Sequence, residues 1–176
     1  DPIDGTNNFV RGLFPIFGIS LAFALNGEPV AGGIALPARE EIYLAGRNLG
    51  ATRNGAELRV SACQYLEEAR LDLDFSGQAE RIAMVQRASR LLYGVGAVRS
   101  YGSAVASLAQ LAHGDIDAYV HMGLNAWDFA AGQVLVEEAG GMATRLDGRT
   151  LRLFDAKDGV IFSNGALHNQ CTGLIQ

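Results

Sequence analysis

The sequence holds few cysteines, few prolines and no concentration of positive charge. Its two cysteines, Cys63 and Cys171, show no CxxC spacing, which speaks against a disulfide framework and suits reduced thiols in a cytosolic protein. A pairing between them is left open by spacing alone. No stretch approaches the roughly 18 consecutive apolar residues of a membrane helix, and no basic segment precedes an apolar run at the start. A membrane partner is therefore not expected, and the expected location is cytoplasmic. Lys and Arg number 14 against 19 Asp and Glu, for a formal net charge of -5, without a basic run. That balance predicts no nucleic-acid partner, because nothing in it attracts a phosphate backbone over a broad face. A small anionic substrate would need local compensation by metal ions.

What is present is a chain of 176 residues, 49% hydrophobic, enough for the core of one domain. From Pro15 to about Ser61 the pattern is strand-like, with runs at Ile16 to Leu25, Pro29 to Leu36 and Glu41 to Ala45. Asn26-Gly27 between the first two is a strong hairpin signal, since both residues tolerate positive φ. These runs predict an antiparallel meander, continued past a turn at Asn54-Gly55 by a short strand at Arg59 to Ser61. Amphipathic spacing predicts helices over Gln78 to Tyr93, Ser103 to His113 and Asp128 to Ala139, with Gly114 and Gly140-Gly141 as stops. Strands are expected at Ile116 to Val120 and Gly159 to Ser163, and a short helix at Ala166 to Leu174. Asp72 and Asp74 alternate with Leu71, Leu73 and Phe75, which reads as the solvent-facing side of a half-buried strand. The whole is a mixed α/β (α+β) layered domain without repeats or linkers.

Two acidic motifs carry the chemistry. Asp1-Pro2-Ile3-Asp4-Gly5-Thr6 places two carboxylates, a turn and a hydroxyl in one short run, and Trp127-Asp128-Phe129-Ala130-Ala131-Gly132 supplies a third carboxylate. Attack of water on a phosphomonoester needs its negative oxygens neutralised and the water acidified, and divalent metals do both. Clustered Asp side chains without a His or Cys group favour Mg²⁺ over zinc. Taken singly, each motif also has a plain structural reading: DP and DG are common turn dipeptides, and an Asp at a helix start is commonly a cap. In combination they are far more specific.

Asp1 to Phe9 resembles the DPIDGTxNF signature of the inositol monophosphatase family, and Trp127 to Gly132 followed by Glu138-Ala139-Gly140-Gly141 resembles its second signature, WDxAAG…EAGG. The resemblance runs from Asp1 to about Asn169. It implies a layered α/β/α/β/α sandwich of the inositol monophosphatase and fructose-1,6-bisphosphatase type. It also implies Mg²⁺-dependent hydrolysis of a phosphate monoester, sensitivity to Li⁺ and a homodimer. By that resemblance Asp1 bridges two metals, Ile3 offers its backbone carbonyl, and Asp4 and Asp128 bind the second metal. Gly5 and Thr6 contact phosphate through backbone N–H groups, and the Thr6 hydroxyl positions the water.

The expected substrate is inositol monophosphate or a similar phosphorylated polyol or sugar. Fructose 1,6-bisphosphate, histidinol phosphate or a 3′-phosphonucleotide are alternatives. Gly102-Ser103-Ala104 resembles the family's GSA or GTA segment lining the substrate pocket, although Ser103 also reads as the N-cap of the helix it precedes. His121 stands where the animal inositol enzymes carry a Glu that binds inositol hydroxyls; the other reading of it is a strand end meeting solvent. Trp127 is expected to pack so as to fix Asp128, and Glu137 and Glu138 to be solvated.

The family also uses an acidic residue of a Gly-Glu-Glu type motif ahead of DPIDGT. Residues 1–176 are therefore expected to be the C-terminal portion of a larger catalytic domain, whose opening elements lie upstream. A metal- or anion-binding fragment without turnover is the non-enzymatic alternative.

Overall fold

The computed structural model describes residues 1–13, 15–75, 77–154 and 159–175. A short helix α1 (Thr6–Arg11) precedes five antiparallel strands, β1 (Ile19–Leu25), β2 (Glu28–Leu36), β3 (Glu41–Gly46), β4 (Gly50–Arg53) and β5 (Ala56–Glu57), paired in chain order. Asn26 and Gly27 both take positive φ at the β1–β2 turn, as do Asn54 and Gly55 at the β4–β5 turn, so both Asn-Gly pairs act as the sequence predicts. Arg59 to Ser61 forms no strand; Val60 N–H instead donates to the Ala139 carbonyl at 3.0 Å.

The second half contains β6 (Arg70–Asp74), α2 (Gln78–Gly94), β7 (Ala97–Arg99), α3 (Ala104–His113), β8 (Ala118–His121), α4 (Ala126–Glu138), β9 (Met142–Arg145), β10 (Val160–Ser163) and α5 (His168–Leu174). Its sheet has the order β7-β6-β8-β10-β9, with β6 parallel to both neighbours and β10 antiparallel to β8 and β9. Gly114 ends α3 in the left-handed conformation at φ 84°, as its position predicts.

Two cores hold these layers together. In one, Ile34, Leu36 and Tyr43 of the first sheet meet Leu108 and Leu111 of α3, Phe129 and Leu135 of α4, and Tyr119 and Phe162 of the second sheet. In the other, Leu71, Leu73, Val120 and Ile161 from the opposite face of the second sheet meet Met84, Ala88 and Leu91 of α2 and Cys171 of α5. The described residues thus form sheet, helices, sheet and helices, four of the five layers expected. The other face of the first sheet exposes Leu21, Phe23, Leu44 and Leu49 around an apolar groove of about 670 Å³ floored by Ala31 and Gly33.

The parts that look most like signatures are partly packing devices. A Cβ on Gly132 would lie 2.4 Å from Leu108 Cδ1, and one on Gly32 would lie 2.7 Å from the Ala131 backbone. Gly132 therefore lets α4 approach α3, and Gly32 lets β2 approach α4 at Ala131. Glu138 is not simply solvated: its carboxylate accepts the Asn48 and Gly50 N–H groups, both at 2.8 Å, and clasps the β3–β4 turn. Trp127 is 60% exposed and does not pack in the core, contrary to its expected role, because its helix turns Phe129 inward instead. Cys63 and Cys171 are free thiols, and burial pushes Cys171 up to about 12. No helix among the described residues is long and apolar enough to cross a membrane.

Candidate active site

The first motif is held by strand-like pairing. The Asp1 backbone nitrogen donates to the Ser20 carbonyl at 2.8 Å, and Ser20 N–H returns a bond of 2.8 Å to the Asp1 carbonyl. Asp4 and Gly18 exchange two further backbone bonds of 2.8 and 3.1 Å. Residues 1–4 thus run along the free edge of β1, and Pro2, which has no N–H, falls between the paired positions. Gly5 then turns the chain into α1 at φ 76°; a Cβ there would lie 3.0 Å from both the Ile16 carbonyl oxygen and Ser103 Cβ. Only glycine meets both demands without strain.

The third carboxylate arrives from β8 through the short connection Met122 to Asn125. Asn125 caps α4 in a capping box with Asp128, whose Oδ2 accepts the Asn125 N–H at 2.9 Å. Cap and candidate ligand are therefore one residue, and the cap fixes where the carboxylate points. Asp1, Asp4 and Asp128 each place one carboxylate oxygen within 4.8 Å of the others, and all three are partly exposed. Ile3 lies at the same turn, its N–H bonded to Asp1 Oδ1 and its carbonyl accepting the Thr6 hydroxyl, both at 2.9 Å.

Asp4 is the most constrained of the three. Ser103 Oγ donates to its Oδ2 at 2.5 Å and Val105 N–H donates to the same oxygen at 2.9 Å. Burial raises its pKa; the bonds from Ser103 and Val105 oppose that rise, and repulsion from Asp128 adds to it. A group of carboxylates left to repel one another is a place where a cation is stabilised. The all-oxygen donor set, three carboxylates and an adjacent backbone carbonyl, fits a hard divalent ion such as Mg²⁺.

The remaining predicted site residues are less open. Ser103 and Ala104 are 2% and 6% exposed, and the Ser103 hydroxyl both caps α3, accepting from Ala106 N–H, and bonds Asp4. His121 is buried at the end of β8, not at a solvent-facing strand end, and its Nδ1 accepts Gly123 N–H at 3.0 Å. Sequence reasoning missed Asn8, whose amide donates to the Ile16 and Tyr101 carbonyls at 2.8 and 2.7 Å and ties α1 to the Ser100–Ser103 turn. It also misplaced Asp72 and Asp74. They do lie on one face of β6, but that face is covered by α3 and the Ser100–Gly102 turn, so both are buried.

The fold and the site define a layered α/β protein with an oxygen-rich acidic cluster where the edge of the first sheet meets the start of α4. Among such proteins, this chain belongs to the inositol monophosphatase family, whose profile matches residues 1–176. Among similar proteins, the fructose-1,6-bisphosphatase/inositol-1-monophosphatase of Thermotoga maritima is 39% identical over 99% of this chain and 66% of its own length. The structure of inositol monophosphatase from Anabaena superposes with a TM-score of 0.90 at 33% identity, covering 99% of this chain and 69% of that one. The Nus factor SuhB of Xylella fastidiosa is 38% identical over 89% of this chain and 58% of its own length. The chain thus spans less than two thirds of the curated relatives it matches.

The SuhB likeness overturns one expectation. Relatives carrying the name Nus factor, in Escherichia coli as well as Xylella, do not sit with the exclusion of any nucleic-acid-associated role. The reason is physical: low net positive charge argues only against broad electrostatic adhesion to a phosphate backbone. It sets no bound on association through a local surface or through another protein.

Proposed function

We propose that the chain is the metal-binding part of a Mg²⁺-dependent phosphomonoesterase acting on inositol monophosphate or a similar polyol or sugar phosphate. The observation that carries this reading is the convergence of Asp1, Asp4 and Asp128 beside the Ile3 carbonyl. When bound, the metal would neutralise phosphate oxygens and acidify a water. Asp1, Asp4, Asp128 and the Ile3 carbonyl would hold it. The Thr6 hydroxyl, at the exposed rim and tethered to Ile3, would orient the water together with Asp1. Gly5 and Thr6 N–H groups, at the start of α1, would receive phosphate oxygens. Ser103, Ala104 and His121 are the proposed substrate-side residues, with Ser103 acting through Asp4.

The Thermotoga relative, whose name joins two activities, supports fructose 1,6-bisphosphate as the leading alternative substrate. The SuhB relatives support a second role as a Nus factor. Phosphate release from inositol 1-phosphate and fructose 1,6-bisphosphate, with and without Mg²⁺, tests the first reading. It should be followed in this chain and in a form extended upstream, each with and without Asp128→Asn. Mg²⁺-dependent release that vanishes in the variant is expected. Release that ignores the metal or the substitution would contradict the reading.

A further inference from the structure

The buried pair on β6 is linked to the candidate metal cluster by hydrogen bonds that meet at Ser103, one received by its carbonyl and one donated by its hydroxyl. Asp74 Oδ1 accepts the Ser100 hydroxyl at 2.7 Å and the Gly102 N–H at 3.0 Å, and Asp72 Oδ1 accepts the Tyr101 N–H at 3.3 Å. The two carboxyl groups therefore grip the turn that leads into α3. On its other oxygen Asp72 contacts the Ser107 hydroxyl, one turn into α3. Ser107 Oγ also lies 2.8 Å from the Ser103 carbonyl oxygen, and Ser103 Oγ bonds Asp4.

Counting protons decides what state this run needs. The Ser107 hydroxyl has one proton and two oxygens within reach, Asp72 Oδ2 and the Ser103 carbonyl. If Asp72 is ionised, only one of those contacts can be a hydrogen bond. If Asp72 is protonated, its O–H donates to Ser107 Oγ, whose own proton goes to the Ser103 carbonyl, and every contact is satisfied. We propose that Asp72 works as a neutral acid whose proton completes the run Asp72–Ser107–Ser103–Asp4, making Asp72 and Ser107 positioning residues for the metal cluster. This rests on the reading of Asp4 as a metal ligand.

The surroundings favour the neutral form. Burial first, and Asp74 second, push Asp72 up to about 7. The titratable and charged groups facing it are Asp74 on its own strand, Arg99 on β7 and Tyr119 on β8, which both pair in register with Asp72, His121 on β8, which pairs with Asp74, and Tyr101 in the adjoining turn. Beyond them stand Asp4 and Asp128, whose charges reach the buried Tyr119 hydroxyl.

The test compares Asp72→Asn, whose amide can still donate to Ser107, with Asp72→Ala and Ser107→Ala in the 176-residue chain. Three quantities are read: the infrared carbonyl stretch of a protonated carboxylic acid at pH 6, hydrogen-exchange protection of the Val105 amide, and Mg²⁺ affinity by calorimetry. The expected result is an acid stretch in the wild type that Asp72→Asn removes. Val105 protection should survive in Asp72→Asn and fall in both Ala variants. Mg²⁺ affinity should fall by about 10-fold or more in the Ala variants and by less in Asp72→Asn, the range for partners that orient metal ligands.

An acid stretch unaffected by Asp72→Asn, or Val105 protection equal in all four proteins, would overturn the proposal. Should the wild type bind no Mg²⁺, the metal reading fails, while the stretch and the Val105 amide still decide on the hydrogen-bonded run. Circular dichroism on each variant separates unfolding from a local change.

Discussion

Two acidic groups lie a few side chains apart in this molecule and are built on opposite terms. Asp1, Asp4 and Asp128 come from an irregular edge segment and a helix start, remain partly exposed, and face one another. Asp72 and Asp74 come from the middle of a sheet and are sealed beneath α3, where hydroxyl and amide donors surround them. The residue type is the same, so environment assigns the role. Open carboxylates facing one another at a surface could hold a cation, whereas closed carboxylates surrounded by donors hold the backbone. Asp4 belongs to the first group by exposure and touches the second through Ser103.

The contrast is broken most severely at Asp128. Replacing it with Asn should remove Mg²⁺-dependent turnover by on the order of 10²-fold or more, because the metal supplies several kcal/mol and each 1.36 kcal/mol is tenfold. The fold should survive, since Asn can still accept the cap bond, and steady-state phosphate release with a thermal melt checks both.

Next comes the pH dependence of stability. The folded state holds the Asp72 proton up to about pH 7, whereas the unfolded chain releases it near the ordinary carboxylate value of 3.8. The folded state therefore binds more protons between those limits, and this group's contribution to stability falls as pH rises from about 4 to about 7. Asp72→Asn should remove that fall, a difference on the order of a few kcal/mol at pH 8 relative to pH 4. Urea unfolding of the metal-free chain at several pH values measures it.

Gly5→Ala probes the junction between the groups. It places a side chain at φ 76° against Ser103 Cβ and the Ile16 carbonyl, and should cost roughly 1–3 kcal/mol while weakening Mg²⁺ binding through the displaced Asp4. The smallest effect is expected at Glu138→Gln, which loses charge-assisted bonds to Asn48 and Gly50 N–H far from the cluster. A loss of about 1–2 kcal/mol in stability with unchanged Mg²⁺ affinity, read by denaturation and calorimetry, would show that its signature serves the fold.

Much of this architecture is legible in the sequence, and the reasons differ by element. The hairpins are written in Asn26-Gly27 and Asn54-Gly55, because few residues accept positive φ twice in succession. Helix α3 is written in Ser103 and Gly114, its two caps. The alternation at Asp72 and Asp74 correctly marks a strand but says nothing about what covers each face; that depends on α3, 30 or so residues further on. Trp127 likewise shows that a large apolar residue on a helix start need not face the core.

For the site, generic spacing left Asp1, Asp4 and Asp128 as caps or turn formers, and their joint presence was needed to suggest a cluster. The Ser103 cap was visible, but its bond to Asp4 was not, because a contact across 99 positions leaves no local pattern. The exclusion of nucleic acid failed for a similar reason, since net charge averages over a surface on which association is local.

The most direct measurement is anomalous X-ray diffraction from crystals of the chain soaked in Mn²⁺, a diffracting substitute for Mg²⁺. An anomalous peak is expected in contact with carboxylate oxygens of Asp1, Asp4 and Asp128 and none at Asp72 and Asp74. A peak at the buried pair, or none among the three open carboxylates, would contradict that expectation.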